Sequence, residues 1–522
     1  MRVVILGGGY AGVTVTRRLE RQLPEDVEIV LIDETGTHLV QHEVHRVVRR
    51  PELADVLTLP LSNLVSRATV RTARVTDFDT NEGTVTIEPT AAENGDNEED
   101  SEPLDGETLT YDYAAVCLGS ETEFYGMESV EEHAVGLKSV EEAAAIRERA
   151  LESPDGNVVI GGAGFSGIQL AGELAALSVE ENLTLDITLV EQADQIAPGF
   201  EEAFADALDA ELSARDVTVV TGVGIESADD ATVTLENEQT LPADLFVWTG
   251  GIRGPDATAG DRLAVGADLR VDESTFVVGD GGRVTDQDGV EAPASAQTAV
   301  RQARVAAKNI RRLVEREDST EPVDFETYTT ETAGWVVSVG DGAIAQVGPA
   351  IVSGEPARAT KAVIGASHLG SVGAICQASA LVAEELGWPG PDCSETAAEG
   401  TVFSLPTDPG SAGDLQSLFA ELPLSALEAY SGEESIDLTA FTRAADRSYP
   451  DGPLFEFQSQ VGSLMKAGLD MWAATAPDDD ESEPVTIQVE DESDEDRTDA
   501  GSDSDPNHSS DDEDQQNGTD VK

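Results

Sequence analysis

The stretch VVILGGGYAG at Val3–Gly12 decides the fold, and it has a near-copy in VVIGGAGFSG at Val158–Gly167. Each is an apolar, β-type run that breaks into Gly-x-Gly-x-x-Gly and continues into a helical pattern. The glycines are Gly7, Gly9 and Gly12 in the first copy, and Gly162, Gly164 and Gly167 in the second. In such a strand–turn–helix unit the first glycine makes the tight turn and the second lets the backbone approach a pyrophosphate. The third lets helix and strand pack closely, while the helix N-terminus supplies unpaired N–H groups and positive dipole. One such motif is a weak signal. Two of them, about 155 residues apart, predict a protein that holds two dinucleotides.

Acidic residues downstream add to this reading. VEIVLIDE (Val27–Glu34) reads as the strand after the first motif and carries Asp33; LDITLVEQ (Leu185–Gln192) does the same for the second and carries Glu191. A carboxylate at that place accepts hydrogen bonds from ribose hydroxyls. Either acid alone could be a strand end facing water, but the two fall at matching positions. Glu191 also bears on cofactor choice, because a carboxylate repels a 2′-phosphate; the second site is expected to take NADH rather than NADPH.

At 522 residues the chain has room for two to four domains. Its net charge is −72 and its pI is near 4.1. Residues 477–522 hold 19 of the 103 acids and two of the 31 bases, so the remainder still carries −55; only five bases in the whole chain are lysine. Self-repulsion of that size opposes compaction in dilute salt. At 1 M salt the Debye length falls to roughly 3 Å and the repulsion is screened. The composition therefore predicts a cytoplasmic protein of a salt-accumulating halophile. It argues against nucleic acid as a partner, since nothing forms a basic patch. Cys117, Cys376 and Cys393 show no paired spacing, so neither a disulfide framework nor a zinc site is expected. The chain enters its first strand directly after Met1, which predicts no signal peptide. Ala362–Ala383 is uncharged but diluted by Gly, Ser, Gln and His, which suits a packed or interfacial segment better than a membrane span.

The expected organisation is α/β: two Rossmann-like dinucleotide-binding domains, the second inserted in the first, then a C-terminal α+β region and a disordered acidic tail. Residues 1–119 form the first part of one domain, closing on the apolar strand YDYAAVCLGS (Tyr111–Ser120). Residues 120–251 form the second domain, ending in DLFVWTGG (Asp244–Gly251). Residues 252–320 return to the first through TFVVGDGGRV (Thr275–Val284) and a helix from about Ala294 to Glu315. The C-terminal region, 321–476, starts with a strand pair, Trp335–Val339 and Ala343–Val347, turning at Gly340-Asp341-Gly342. The segment 89–107 reads as a solvated acidic insertion, and 400–450 carries no assignable pattern. In Leu454–Trp472 the apolar residues recur at i, i+3/i+4, giving a helix that either lies on a membrane surface or packs on its own body. Residues 477–522 are the tail.

Together these features resemble the flavoproteins with two dinucleotide-binding domains, and within them the type II NADH dehydrogenases (NADH:quinone oxidoreductases). The resemblance covers approximately Met1–Leu386. VVILGGGYAG, Asp33, the AAVCLGS strand with Gly119, and VVGDGG with Gly279 and Asp280 match the family's flavin-domain signature. The resemblance implies that Asp280 bonds the ribitol of FAD. GGAGFSGIQLAGEL (Gly161–Leu174) and VWTGGIRG (Val247–Gly254), with Gly251, match its nicotinamide signature. PASAQTAVRQARVAAKNI (Pro293–Ile310) is similar to the family's A-Q-x-A-x-Q-Q segment beside flavin and quinone; Ala296, Gln297, Ala299 and Gln302 fit. Arg301 departs from the first Gln of the Q-Q pair. Gln169 stands where many relatives carry a Glu near the nicotinamide–flavin contact. Glu173, one turn on, reads as a helix-surface acid.

What the resemblance implies is an FAD-dependent enzyme that passes hydride from NADH to the flavin and two electrons to a quinone without pumping protons. Holding the two rings in contact is its main task. Gln169, Gln297 and Gln302 are the candidate catalytic residues, the last two as neutral donors to quinone carbonyls or, alternatively, as a helical turn packed under the flavin. The expected setting is the cytoplasmic face of the cell membrane, bound peripherally, with a homodimer as the assembly to test. His38, His42 and His45 have spacings compatible with a metal, yet no thiol or acidic partner completes a site; lining of the flavin pocket or plain loop polarity is favoured. His368 reads as a packing or surface histidine and Cys117 as a buried strand residue. Competing readings are a sulfide:quinone oxidoreductase, a soluble NADH:acceptor reductase, and a slowly turning NADH-binding redox sensor.

Overall fold

The computed structural model of the chain describes residues 1–90, 106–316, 323–330, 334–348, 350–386 and the backbone of 485–487. The helix expected at Leu454–Trp472, the interval 400–450, most of the insertion at 89–107 and the acidic tail lie outside these residues.

The β-branched run after Met1 becomes the strand Arg2–Leu6, and Val3, Val4, Ile5 and Leu6 are all fully buried. Burial on both faces is what a central parallel strand requires, and each such side chain contributes about 1.5–3 kcal/mol. This strand pairs in parallel with Glu28–Asp33 on one side and Tyr113–Val116 on the other. The sheet has seven strands in the order 275–277, 113–116, 2–6, 28–33, 69–79, 84–89, 107–110. Its first five run parallel; the last two add an antiparallel meander next to the acidic insertion.

Between Val116 and Thr275 the chain builds a second parallel sheet, in the order 218–220, 186–190, 157–161, 245–248. Asn157–Gly161 is its central strand, paired with Asp186–Val190 and Leu245–Trp248. The fold is therefore two Rossmann-like units, the second inserted in the first, as the sequence predicts. The helix Ala296–Glu315 starts at an N-cap, Ser295, whose hydroxyl accepts the Thr298 amide N–H. It packs against the first motif helix, Tyr10–Gln22, above Gly279. A Cβ on Gly279 would lie 3.4 Å from Ala299 Cβ and 3.5 Å from Ala11 Cβ, so small residues set that crossing.

The expected strand pair at the C-terminal side forms as Trp335–Val339 against Gly342–Val347, joined in antiparallel sense to Ala350–Ser353. Its turn presses on the second motif helix, Phe165–Glu180: a Cβ on Gly172 would sit 2.4 Å from the Gly340 amide nitrogen. The uncharged segment at 362–383 is not one helix. It divides between Glu355–Ser371 and Ile375–Glu385, with Gly373 at φ +89° in the break. No helix among the described residues is long and apolar enough to cross a membrane. Cys117 is a free, buried thiol. Cys376 is disulfide-bonded, a bond that the cysteine spacing does not predict.

Candidate active site

The two glycine motifs fold into the same object. Gly7 and Gly162 turn the chain at φ +100° and +95°. A Cβ on Gly7 would fall 2.3 Å from the Cys117 carbonyl oxygen, and one on Gly162 would fall 2.8 Å from Gly250 Cα. Gly12 and Gly167 face the loop they follow, where a Cβ would meet Gly7 O at 1.8 Å and Gly162 O at 2.0 Å. Gly9 and Gly164 differ from these: a Cβ on either would have no atom within 4 Å. Both are helix N-caps that offer no side-chain hydrogen bond. Each helix N-terminus thus lies at the C-terminal edge of a parallel sheet with open space beside its cap glycine, the arrangement of an anion cradle.

The acids predicted beside the cradles are beside them. Asp33 Oδ2 accepts the Gly8 amide at 2.8 Å, and Asp33 Oδ1 accepts the Thr35 and Gly36 amides at 2.9 and 3.0 Å. Glu191 Oε2 accepts the Ala163 amide at 2.7 Å and its Oε1 accepts the Ala193 amide at 2.9 Å. Each half-buried carboxylate is oriented by the backbone of its own loop and keeps lone pairs for ribose hydroxyls.

Asp280 follows the end of the strand Thr275–Val277, across from Gly119. A Cβ on Gly281 would come within 2.9 Å of the Gly119 carbonyl oxygen, so the two strand ends approach backbone to backbone. Burial raises the Asp280 carboxyl pKa, opposed by the nearby cations Lys138 and Arg262. Arg262 also binds the carbonyls of Asp280 and Gly282, each at 2.8 Å, and Lys138 Nζ donates to Ser120 O at 2.8 Å. Gly251 turns at φ +89° against Tyr125.

The two candidate glutamines of the helix Ala296–Glu315 part company. Gln297 is half-buried in its first turn. Gln302 is 1 % exposed, and its Oε1 accepts the Gly279 amide at 2.8 Å. Gln302 therefore holds the loop bearing Asp280, in keeping with the packing alternative for this residue.

Gln169 lies on the second motif helix, buried, and its Nε2 donates to Ser338 Oγ at 3.2 Å. Glu173 is not a helix-surface acid. It is 2 % exposed, 3.0 Å from Arg49 Nε, and burial pushes its carboxyl up to about 7 against the pull of Arg49 and Arg46. The surface expectation fails because the helix is covered by the C-terminal hairpin and by the segment Gln41–Val48, neither of which its own periodicity reveals.

That segment carries His42 and His45, the strand Thr37–Leu39 before it carries His38, and the helix Glu355–Ser371 brings His368 to them. His38 Nδ1 lies 2.9 Å from the Gly8 carbonyl oxygen, and its Nε2 lies 2.8 Å from Nε2 of His368. A carbonyl only accepts, so His38 donates from Nδ1 and takes the N–H of His368 at Nε2. His42 Nδ1 is 2.5 Å from the Tyr10 hydroxyl. Burial lowers the pKa of His38, His42, His45 and His368. Beneath them the buried Glu43 pairs with Lys361 at 2.5 Å and Arg46 at 3.2 Å. Those cations and His42 hold it well below the usual carboxylate range despite burial. Among the described residues no group of His, Cys, Asp and Glu could hold a metal ion. The Gln169–Ser338 and His38–His368 contacts, and the Glu43–Lys361 pair, carry no sequence signal, because their members are far apart in the chain.

The sequence profile of pyridine nucleotide-disulphide oxidoreductases matches residues 1–303. The chain belongs to that family. Among curated members, the type II NADH:quinone oxidoreductase of Staphylococcus saprophyticus is 26% identical over 356 residues, 61% of this chain and 84% of that protein. The demethylphylloquinone reductase NdbB of Synechocystis is 28% identical over 334 residues, 59% of this chain and 78% of its own. Among solved structures, NDH2 from Plasmodium falciparum in complex with NADH superimposes with a TM-score of 0.63 at 14% identity. That match covers 75% of this chain and 99% of the other. The sulfide:quinone oxidoreductase of Aquifex aeolicus gives 0.59 at 17% identity, covering 71% and 91%. At such identities both structures speak for the fold shared by this oxidoreductase family and no further.

Proposed function

We propose that the protein is a flavin-dependent NADH:quinone oxidoreductase that moves two electrons without pumping protons. The observation that carries this reading is the duplicated cradle, each an uncapped helix N-terminus with a carboxylate bonded to its loop. The names of its sequence relatives, type II NADH:quinone oxidoreductase and demethylphylloquinone reductase, point the same way. Residues 1–119 and 252–320 are assigned to FAD, residues 120–251 to NADH.

The residues fit the two dinucleotides. Gly7, Gly9 and Gly12 would hold the FAD pyrophosphate, Asp33 its ribose, and Gly119, Gly279 and Asp280 its ribitol end. Gly162, Gly164 and Gly167 would hold the NADH pyrophosphate, with Glu191 on its ribose and Gly251 at the same edge. FAD, when bound, supplies the two-electron carrier between NADH and quinone. The chain holds the reactants in register, which supplies several kcal/mol of the barrier. Gln169 lies on the helix of the NADH cradle, Gln297 would offer a neutral donor to a quinone carbonyl, and Gln302 fixes the loop that carries Asp280. Overall, NADH, a proton from solution and quinone yield NAD⁺ and quinol.

Peripheral binding to the cytoplasmic face of the membrane belongs to the same reading, with Leu454–Trp472 as the contact. So does a requirement for molar salt, from a net charge of −72. The test is the absorption spectrum of the protein isolated in molar KCl, an anaerobic titration with NADH or, separately, with sulfide, and then addition of a quinone analogue. A flavin spectrum bleached by NADH and restored by quinone supports the proposal. A colourless protein that FAD cannot reconstitute overturns it, and bleaching without reoxidation by quinone leaves a sensor.

A further inference from the structure

Three distant parts of the chain meet at one oxygen. Gln169 Nε2, on the second motif helix, donates to Ser338 Oγ at 3.2 Å, and His45 Nε2 lies 3.1 Å from the same oxygen. The three residues are 8, 2 and 2 % exposed. Their chemistry sets the direction of both bonds. A hydroxyl has one proton and two lone pairs, and an amide N–H can only donate. Gln169 therefore occupies a lone pair of Ser338, and the hydroxyl proton is free to go to His45 Nε2. His45 is then neutral with its proton on Nδ1, consistent with its burial and the nearby Lys361, which lower its pKa. Were His45 to donate from Nε2 instead, the serine proton would have no acceptor among the described residues, at a cost of about 1–3 kcal/mol.

We infer that Ser338 and His45 are positioning residues for the NADH half-reaction: they lock the Gln169 amide so that its carbonyl oxygen keeps one place beside the second cradle. The inference rests on the NADH:quinone reading and extends it to the C-terminal hairpin. With an amide donor at 169 the hydroxyl proton goes to His45 Nε2, so Gln169 and the Nδ1–H tautomer of His45 are matched through Ser338.

The test uses the full chain with FAD in molar KCl. Ser338→Ala and Ser338→Thr are compared by rapid anaerobic mixing with NADH and by ¹⁵N NMR of histidine-labelled protein. The limiting rate of flavin bleaching is expected to fall about tenfold in Ser338→Ala, as a small misplacement does, with little change in NADH affinity. The His45 ring signals should move off the Nδ1–H pattern, and Ser338→Thr should restore both. An unchanged limiting rate in Ser338→Ala, or no rescue by threonine, overturns the inference. If Ser338→Ala does not fold, His45→Leu and His45→Gln replace it. Glutamine keeps an acceptor for the hydroxyl, so equal rates in the two variants overturn the proposal. Should NADH fail to bleach the wild type, the parent reading fails. The His45 spectrum then decides the bond network alone: signals unmoved by Ser338→Ala overturn it, and moved signals uphold it.

Discussion

The Glu191 carboxylate accepts the Ala163 amide at 2.7 Å. Asp33 makes the same bond to Gly8 at 2.8 Å in the other half of the molecule. In each case the acid at the end of the second strand is tied to the residue between the first two motif glycines. Under the proposed assignment the bond does more than brace a turn, because it would orient a carboxylate toward the ribose of the dinucleotide. Glu191→Gln keeps an acceptor for Ala163 and removes the charge. Steady-state assays with both nucleotides should show NADPH gaining on NADH by about tenfold in kcat/KM, or ~1.4 kcal/mol. An unaltered ratio would exclude Glu191 from the ribose site.

Gly9 and Gly164 separate the two sites experimentally. Alanine fits the protein at either place, since both have negative φ and open space around the added carbon. It obstructs only what approaches from outside. Gly9→Ala should lower FAD affinity by about tenfold with the apoprotein's melting temperature unchanged. Gly164→Ala should retain FAD and weaken NADH by a similar factor. Titration calorimetry on both variants distinguishes the cradles, and loss of the same ligand in both would refute the assignment.

Gln297 and Gln302 should respond differently to leucine. Gln302→Leu leaves the buried Gly279 amide without its acceptor, which costs about 1–3 kcal/mol and should loosen FAD. Gln297→Leu should raise the KM for quinone and leave the rate of bleaching by NADH intact. If Gln297→Leu affects only bleaching, its quinone role is wrong.

Glu173 gives a pH signature. Its carboxyl rises from the ordinary 4.5 to about 7 on folding, so it costs stability progressively between those values and fully above them. Glu173→Gln removes that cost while Arg49 keeps Asp341 at 2.6 Å. Relative to wild type, the variant should gain up to ~3 kcal/mol between pH 4.5 and pH 7. Denaturant unfolding across that range checks the slope; a difference independent of pH would show Glu173 ionised throughout.

The buried histidines act in the opposite sense. Their pKa values fall on folding, so the fold keeps them neutral and binds fewer protons than the unfolded chain below pH 6.5. The stability they provide is complete above that pH and is lost as pH drops through it. At fixed molar KCl, unfolding midpoints should decline steeply from pH 6.5 downward. His368→Gln, which can still donate to His38 Nε2, should make the decline shallower. A slope equal to wild type would mean that His368 takes up its proton at the same pH in both states.

The amino-acid sequence by itself determined what lies within one strand–turn–helix unit. Gly7, Gly9, Gly12 and Asp33, and their counterparts Gly162, Gly164, Gly167 and Glu191, act through backbone turns and helix ends a few residues away, and local backbone sterics leave a spacing that can be read. The hairpin at 335–347 was legible for the same reason, because its turn is local and its strands alternate. Tertiary structure alone decided which polar groups are buried and what satisfies them. Glu173 looks like a surface acid until the turn at Gly340 covers its helix. Gln302 looks like a quinone ligand until the Gly279 amide claims its oxygen. Ser338 has no distinguishing neighbours in sequence, and it acquires a role only where Gln169 and His45 converge on it. Buried polar atoms need a partner wherever the packing places one, and packing brings together residues hundreds of positions apart that no periodicity links.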